Sequence, residues 1–71
     1  MAKIAEYKFT DYDKWKSAQN YMYEAFGSSC YSDACWETSS YSDGYYISIL
    51  DNCSNAGKAA TICTGHDGKI Y

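Results

Sequence analysis

A stripe of apolar side chains at helical spacing crosses the first third of this 71-residue chain, and it constrains the fold more than any other feature. Such a stripe is typical of a helix that packs one face on a core. Its members are Tyr12, Trp15, Ala18, Met22, Ala25 and Phe26. The pattern predicts a helix over residues 11–26, which a capping box of Thr10 and Asp13 begins and Gly27 ends.

Segments of β-prone sequence precede and follow this predicted helix. Residues 3–9 alternate between two faces, as the side chains of a strand do. Residues 35–42 and 45–50 are two further β-prone runs, with Asp43-Gly44 between them. Because Asp-Gly in this position is a strong hairpin signal, the sequence predicts one strand before the helix and a hairpin after it.

The register of the hairpin decides which of its side chains face the core. A two-residue turn at Asp43-Gly44 pairs Tyr41 with Tyr46. One face then carries Trp36, Thr38, Tyr45, Ile47 and Ile49, and the other carries Glu37, Ser39, Tyr41, Tyr46 and Ser48. The first set is the more apolar, so we expect the second to remain open to solvent.

Small side chains at helical spacing predict a second helix. The stripe consists of Ala56, Ala59, Ala60 and Cys63. Asp51, Asn52 or Ser54 can cap its start, Gly65 ends it, and residues 69–71 can form a short last strand.

The order of these elements predicts a single α+β domain over residues 1–71. Strand, helix, two strands, helix and strand is the split βαβ pattern of ferredoxin-like βαββαβ folds. We expect an antiparallel sheet with both helices on one face. The alternative is a hairpin plus two helices without the fourth strand.

Tyrosine is the most unusual component of the composition. The chain contains nine tyrosines but no arginine and no proline. A core of this size buries only a few tyrosines, so the others are expected at the surface. Tyrosine suits recognition there, because it offers a large contact area and a hydroxyl at low entropic cost.

The charge and the N-terminal segment restrict the partners and the compartment. A net charge of −3 opposes binding to phosphate, so we expect no direct contact with nucleic acid. An acidic, tyrosine-rich surface instead favours a basic protein surface as partner. The sequence has no apolar run long enough for a signal peptide or a membrane span, which predicts a cytoplasmic protein without membrane contact.

Four cysteines and one histidine are the candidates for chemistry: Cys30, Cys35, Cys53, Cys63 and His66. Cytoplasmic cysteines are expected to be thiols unless they bind metal. The spacings depart from the paired Cys-x2–4-Cys pattern of zinc sites. Free thiols, one or two disulfides of undetermined connectivity, and a metal site all remain open.

Neither His66 nor Cys63 is placed for catalysis by the sequence. His66 lies in a glycine-rich turn and is interpreted as an exposed histidine with no accompanying nucleophile. Cys63 lies near a helix C-terminus, where the dipole opposes thiolate formation. We therefore predict a chain that is not an enzyme and has no cofactor or metal.

The predicted function is protein binding. The expected partner-binding residues are Tyr21, Tyr23, Tyr31, Glu37, Tyr41, Asp43 and Tyr46. They combine exposed aromatic rings, which dominate interface energetics, with carboxylates suited to a basic partner. The alternative is a small redox or zinc-binding domain that uses the four cysteines and His66.

In size, acidity, tyrosine content and lack of a catalytic motif, the chain resembles small phage-encoded inhibitors, including anti-CRISPR proteins. The resemblance covers the general character of the whole chain and involves no motif. It implies stoichiometric inhibition of a nucleic-acid-handling host complex in the host cytoplasm. Acidic side chains would then occupy sites meant for phosphate.

Overall fold

Six elements form along residues 2–71, the part of the chain that the computed structural model describes. They are strands β1 (Lys3–Phe9), β2 (Trp36–Tyr41), β3 (Gly44–Leu50) and β4 (Lys69–Ile70), and helices α1 (Tyr12–Phe26) and α2 (Ala56–Gly65). The sheet order is β2-β3-β1-β4, and every pair of neighbouring strands is antiparallel. The predicted α+β class is confirmed. Because β4 is present, the alternative without a fourth strand is wrong.

The core lies between one face of the sheet and the two helices. Its buried members are Tyr7, Phe9, Ala18, Met22, Trp36, Ile47, Ile49, Ala59 and Cys63. The strand members alternate with residues of the opposite face, as strand geometry requires. Small residues at Ala59 and Cys63 let α2 lie close to the sheet. The predicted core face of the hairpin is thus confirmed, and the alternation predicted for residues 3–9 places Tyr7 and Phe9 in the core.

The start of each helix differs from the prediction. The Asp11 carboxylate, and not Thr10, caps α1 by accepting hydrogen bonds from the backbone N–H groups of Asp13 and Lys14. Asn55 caps α2 by accepting from Lys58 N–H at 3.0 Å. In both cases the side chain nearest the first helical turn is the one in reach of the unpaired N–H groups.

Gly27 ends α1 as predicted. Its φ is 85°, a conformation that glycine adopts without the steric penalty of a Cβ, and its N–H donates to the Tyr23 carbonyl at 2.8 Å. The Gly27 carbonyl in turn accepts from Trp36 Nε1 at 2.9 Å. The end of α1 is therefore tied to the buried tryptophan that begins β2.

The hairpin register differs from the prediction by two residues. Tyr41 pairs with Gly44 and Ser39 pairs with Tyr46, so the turn consists of Ser42 and Asp43. Gly44 is the first residue of β3 and packs against β1, where a Cβ would lie 3.2 Å from the Phe9 carbonyl oxygen. The predicted pairing of Tyr41 with Tyr46 is wrong. A shift of two leaves every side chain on its predicted face, since the pleat repeats every two residues.

The apolar stripe of α1 is buried at the centre of the helix and more exposed to solvent at the first turn. Ala18 and Met22 are fully buried, whereas Trp15 is half-buried and Tyr12 is 52% exposed. The Trp15 ring stacks on Tyr45 at 4.9 Å, and its Nε1 donates to the Tyr46 carbonyl at 3.1 Å. Trp15 thus joins α1 to the middle of the sheet, and Tyr12 is only partly a core residue.

Candidate binding surfaces

Most of the tyrosines do lie at the surface. Six of the nine keep more than half of their area exposed: Tyr12, Tyr21, Tyr23, Tyr31, Tyr41 and Tyr71. Tyr7 and Tyr46 are buried, and Tyr45 is half-buried. The expected surplus of surface tyrosine is confirmed, although its members differ from the predicted set.

The predicted partner-binding residues lie on two sides of the molecule. Tyr21 and Tyr23 belong to α1, which covers the core side of the sheet, and Tyr31 follows in the loop after α1. Glu37 and Tyr41 point to the opposite face, because they alternate with the core residues of β2. The structure therefore offers two separate surfaces instead of one.

A cleft of about 410 Å³ lies beside the C-terminal end of α1, and we call it the Tyr31 cleft. It is lined by Ala25, Phe26, Gly27, Ser28, Tyr31, Asp33, Ala34, Cys35, Asn52 and Ser54. Tyr31 is 71% exposed at this site, and Asp33 supplies a carboxylate. No lysine is among the lining residues, so the cleft offers an aromatic ring and a negative charge together.

The turn after β3 holds the far wall of the Tyr31 cleft in place. Asn52 Nδ2 donates to the backbone carbonyls of Asp33 at 2.8 Å and of Ala34 at 3.2 Å. These bonds connect segments 18 and 19 residues apart in sequence. Sequence reasoning missed the cleft because no local pattern reveals that the loop after α1 meets this turn.

A second cleft, of about 310 Å³, shares Ala25 with the first. It is lined by Tyr21, Glu24, Ala25, Lys58 and Ile62. The Tyr21 ring lies 4.8 Å from the His66 ring, which fixes one wall of this cleft against the end of α2. Glu24 and Lys58 make the lining mixed in charge, so this cleft is less acidic than the Tyr31 cleft.

Tyr23 stands apart from these clefts. It is 60% exposed but lines neither of them. Residues two apart on a helix do not share a face, so Tyr21 and Tyr23 lie on opposite flanks of the buried Met22. The structure therefore places the two tyrosines on different sides of α1.

Tyr46 is the buried centre of the open sheet face and is not available as an exposed contact. It is 3% exposed, and its ring meets Tyr41 at 5.4 Å and Tyr71 at 5.1 Å, both edge-on. The expectation that Tyr46 is exposed is wrong because β3 is a central strand, with neighbours on both sides that shield its outward residues. Sequence reasoning missed Tyr71, which is 70% exposed beside it.

Asp43 is occupied by internal partners. Its carboxylate accepts from the Tyr46 hydroxyl at 2.9 Å and lies 3.6 Å from Lys8 Nζ. The hydrogen bond from Tyr46, together with the Lys8 charge, holds the pKa of Asp43 below its ordinary value. Burial and the same carboxylate raise the pKa of Tyr46. These contacts assign Asp43 to the support of the hairpin.

The five residues of the redox or zinc alternative do not form one cluster. Cys35 and Cys53 meet with their sulfurs 3.1 Å apart, whereas Cys30 is exposed and Cys63 is buried in the core. Within residues 2–71, no three His, Cys, Asp or Glu side chains are grouped so that they could hold a metal ion. Burial raises the pKa of the Cys63 thiol to about 12, so this sulfur keeps its proton.

His66 lies in the turn that follows α2, as predicted, but it is half-buried and not exposed. Its Nδ1 lies 2.8 Å from the Ile62 carbonyl, so this nitrogen carries the proton and donates it. The ring packs on Tyr21. These contacts give His66 a structural position at the second cleft.

Comparisons with protein-family models, with curated proteins and with solved structures find no significant match to this chain. Neither of the helices formed by residues 2–71 is long and apolar enough to cross a membrane. Any functional assignment therefore rests on the surfaces described above.

Proposed function

We propose that this protein is a non-catalytic binding module that docks on a basic protein surface through its Tyr31 cleft. The observation that carries the proposal is that an exposed tyrosine ring and the Asp33 carboxylate line the same cleft, and that no lysine lines it. A lysine or arginine side chain of a partner fits this chemistry. Its cationic group would pair with Asp33, and its aliphatic stem or guanidinium plane would pack on Tyr31.

The distribution of charge also supports a basic partner. Three carboxylates are engaged by lysines, in the pairs Lys3–Glu6, Lys8–Asp43 and Lys14–Asp67. Glu24 and Asp33, at the two clefts, are outside these pairs. The Asp33 carboxylate beside the exposed Tyr31 would steer a basic partner toward the Tyr31 cleft, and added salt would slow their encounter.

The proposed outcome of binding is inhibition of a nucleic-acid-handling host complex. Proteins that bind nucleic acid present lysine and arginine to phosphate. Carboxylates at the Tyr31 cleft would occupy such groups and exclude the nucleic acid. This mode of action is that of the small phage-encoded inhibitors, anti-CRISPR proteins among them, that the chain resembles in size and composition.

Affinity capture tests the proposal. The tagged chain is incubated with a bacterial lysate treated with nuclease, and the retained proteins are identified by mass spectrometry. We expect a basic, nucleic-acid-handling complex. The Tyr31→Ala/Asp33→Asn variant should lose capture, because truncating a central interface aromatic typically costs about 2 kcal/mol, or about 30-fold in affinity.

A matched control comes from the other face of the sheet. The Glu37→Gln/Tyr41→Ala variant also removes one carboxylate and one exposed ring, and it should capture the partner as well as the unmodified chain does. Equal capture by the Tyr31/Asp33 variant would contradict the proposal. A parallel capture uses lysate that has not been treated with nuclease. Retention of RNA or DNA alone in that capture would contradict the protein-partner interpretation as a whole.

A further inference from the structure

Two half-buried cysteines meet beside the Tyr31 cleft. Cys35 precedes β2, and Cys53 lies in the turn between β3 and α2. The Cys35 thiol donates to the Cys53 sulfur across 3.1 Å. Cys35 is also one of the residues that line the cleft.

The main chain holds this pair together independently of the sulfurs. Leu50 N–H donates to the Cys35 carbonyl at 2.8 Å, and Cys53 N–H donates to the Leu50 carbonyl at 3.1 Å. Both cysteines are thus bonded to one residue at the end of β3. Asn52 adds its two bonds to the carbonyls of Asp33 and Ala34. The two thiols are therefore preorganised at a high effective concentration.

We propose that Cys35 and Cys53 are a disulfide-forming pair whose oxidation locks the Tyr31 loop, residues 27–35, against the turn after β3. The disulfide would add a covalent link where Asn52 already supplies hydrogen bonds. It would fix the wall of the cleft that carries Tyr31 and Asp33. The inference concerns the thiol chemistry of the chain and does not depend on the identity of a binding partner.

Exchange with a small disulfide, such as oxidised glutathione, balances the reaction. The Cys35 thiol donates to the Cys53 sulfur, and burial together with this contact raises the pKa of Cys35 to about 12. We therefore assign the first attack to Cys53, which gives its proton to solvent as it attacks. Attack breaks the S–S bond of glutathione, forms a mixed disulfide and releases one glutathione thiol. Cys35 then attacks the Cys53 sulfur, transfers its proton to solvent and releases the second glutathione. Two protein thiols are oxidised as one small disulfide is reduced to two thiols.

The other two cysteines provide natural comparisons. Cys30 is exposed, so it can form a mixed disulfide with glutathione but has no thiol beside it in the described residues. Cys63 is fully buried and retains its proton, so it should remain unmodified. A Cys30→Ser background removes the exposed thiol and leaves the pair intact.

Mass spectrometry of the oxidised protein tests the pairing. The Cys30→Ser chain is incubated with oxidised glutathione, its remaining thiols are blocked, and it is cut before aspartate and after lysine. These cuts place Cys35 in residues 33–42, Cys53 in residues 51–58 and Cys63 in residues 59–66. We expect the loss of two hydrogens and a cross-link between the first two peptides. Separate glutathione adducts on Cys35 and Cys53, or a link to Cys63, would overturn the proposal.

A thermal melt tests whether the folded structure accommodates the bond, because a disulfide stabilises a protein mainly by restricting its unfolded chain. Cys35 and Cys53 are 18 residues apart in sequence. A disulfide that closes a loop of this length should raise the melting temperature of the oxidised protein by on the order of 10 °C over the reduced form. Dithiothreitol should reverse the shift. The Cys35→Ser and Cys53→Ser variants, each in the Cys30→Ser background, should melt at the same temperature with and without oxidised glutathione. A cross-linked protein that melts at the same temperature as the reduced form would show that the bond strains the folded loop instead of locking it in place, and would contradict the proposal.

Discussion

At the residue scale, the two tryptophans serve different parts of the structure. Trp36 is 2% exposed and donates its indole N–H to the carbonyl of Gly27. Trp15 is half-buried, stacks on Tyr45 and donates to the carbonyl of Tyr46. One therefore anchors the end of α1 to β2, and the other anchors its start to β3.

Truncation of the tryptophans should separate these roles. Trp36→Ala should destabilise the protein by about 3–5 kcal/mol, as large-to-small changes in a core do, and Trp15→Ala by less, about 3 kcal/mol, because part of its ring is already in water. Urea denaturation followed by circular dichroism measures both. A Trp15→Ala loss below about 1 kcal/mol would place Trp15 outside the core, contrary to its contacts with β3.

A second prediction at this scale concerns Asp43 and pH. Its pKa is lowered in the folded state by the Tyr46 hydrogen bond and the Lys8 charge, so ionised Asp43 stabilises the fold. This contribution is fully present above the ordinary pKa of 3.8 and is lost as the pH falls through the lower folded value. Asp43→Asn should therefore be less stable than the unmodified chain at pH 7 and lose less stability on acidification.

Urea midpoints at neutral pH and at about pH 3 measure that difference. Asp33→Asn is the matched control, since Asp33 is an exposed loop carboxylate outside the ion pairs of the structure. If acidification destabilises the Asp43→Asn variant as much as the unmodified chain, the role given to Asp43 is contradicted.

At the element scale, the sequence pattern predicted the inner faces better than it predicted the ends. Strand β1 matched residue for residue, and the inner face of the hairpin was right even though its register was off by two. Faces follow from periodicity, which side-chain burial imposes along the whole element. The turn position was missed because Asp43-Gly44 is itself a strong local turn signal, whereas the observed register pairs Tyr41 with Gly44 and places Gly44 against β1, a segment far away in sequence.

The cap of α1 gives the prediction at this scale. Asp11→Ala should destabilise the protein by about 1 kcal/mol, because two backbone N–H groups lose their acceptor. Thr10→Ala should have almost no effect, since Thr10 is exposed and does not cap the helix. Thermal or urea unfolding of the two variants compares them directly. If Thr10→Ala destabilises the protein more than Asp11→Ala does, the capping box predicted from the sequence is correct and the Asp11 cap is contradicted.

At the scale of the whole molecule, the fold separates two tyrosine-bearing surfaces. Tyr21 and Tyr31 flank the clefts near the end of α1, and Tyr41 and Tyr71 lie on the open sheet face around the buried Tyr46. Composition alone indicated that tyrosines would be exposed. It could not indicate which tyrosines would share a surface, because that depends on contacts between segments distant in sequence. At the Tyr31 cleft these are the bonds from Asn52 to the carbonyls of Asp33 and Ala34, and on the open face it is the order of the strands.

A lysine peptide offers a direct probe of the Tyr31 cleft. In nuclear magnetic resonance titrations, hexalysine should shift the amide signals of Tyr31, Asp33 and Asn52 more than those of Glu37 and Tyr41. The shifts should weaken as salt is added, because screening reduces the attraction between exposed charges. Hexaglutamate is the control and should cause no shifts at the cleft. Shifts confined to the open sheet face would contradict the assignment of the binding site to the Tyr31 cleft.

A stoichiometric titration of the host complex identified by capture, purified without this chain, tests the central claim most directly. The purified complex is loaded with its labelled nucleic acid, and bound nucleic acid is measured as this chain is added. The account predicts a linear fall that ends at one chain per binding site, with no recovery over time and no fall with the Tyr31→Ala/Asp33→Asn variant. Full loss at far below one chain per site, or a stable complex that holds both the chain and the nucleic acid, would contradict it.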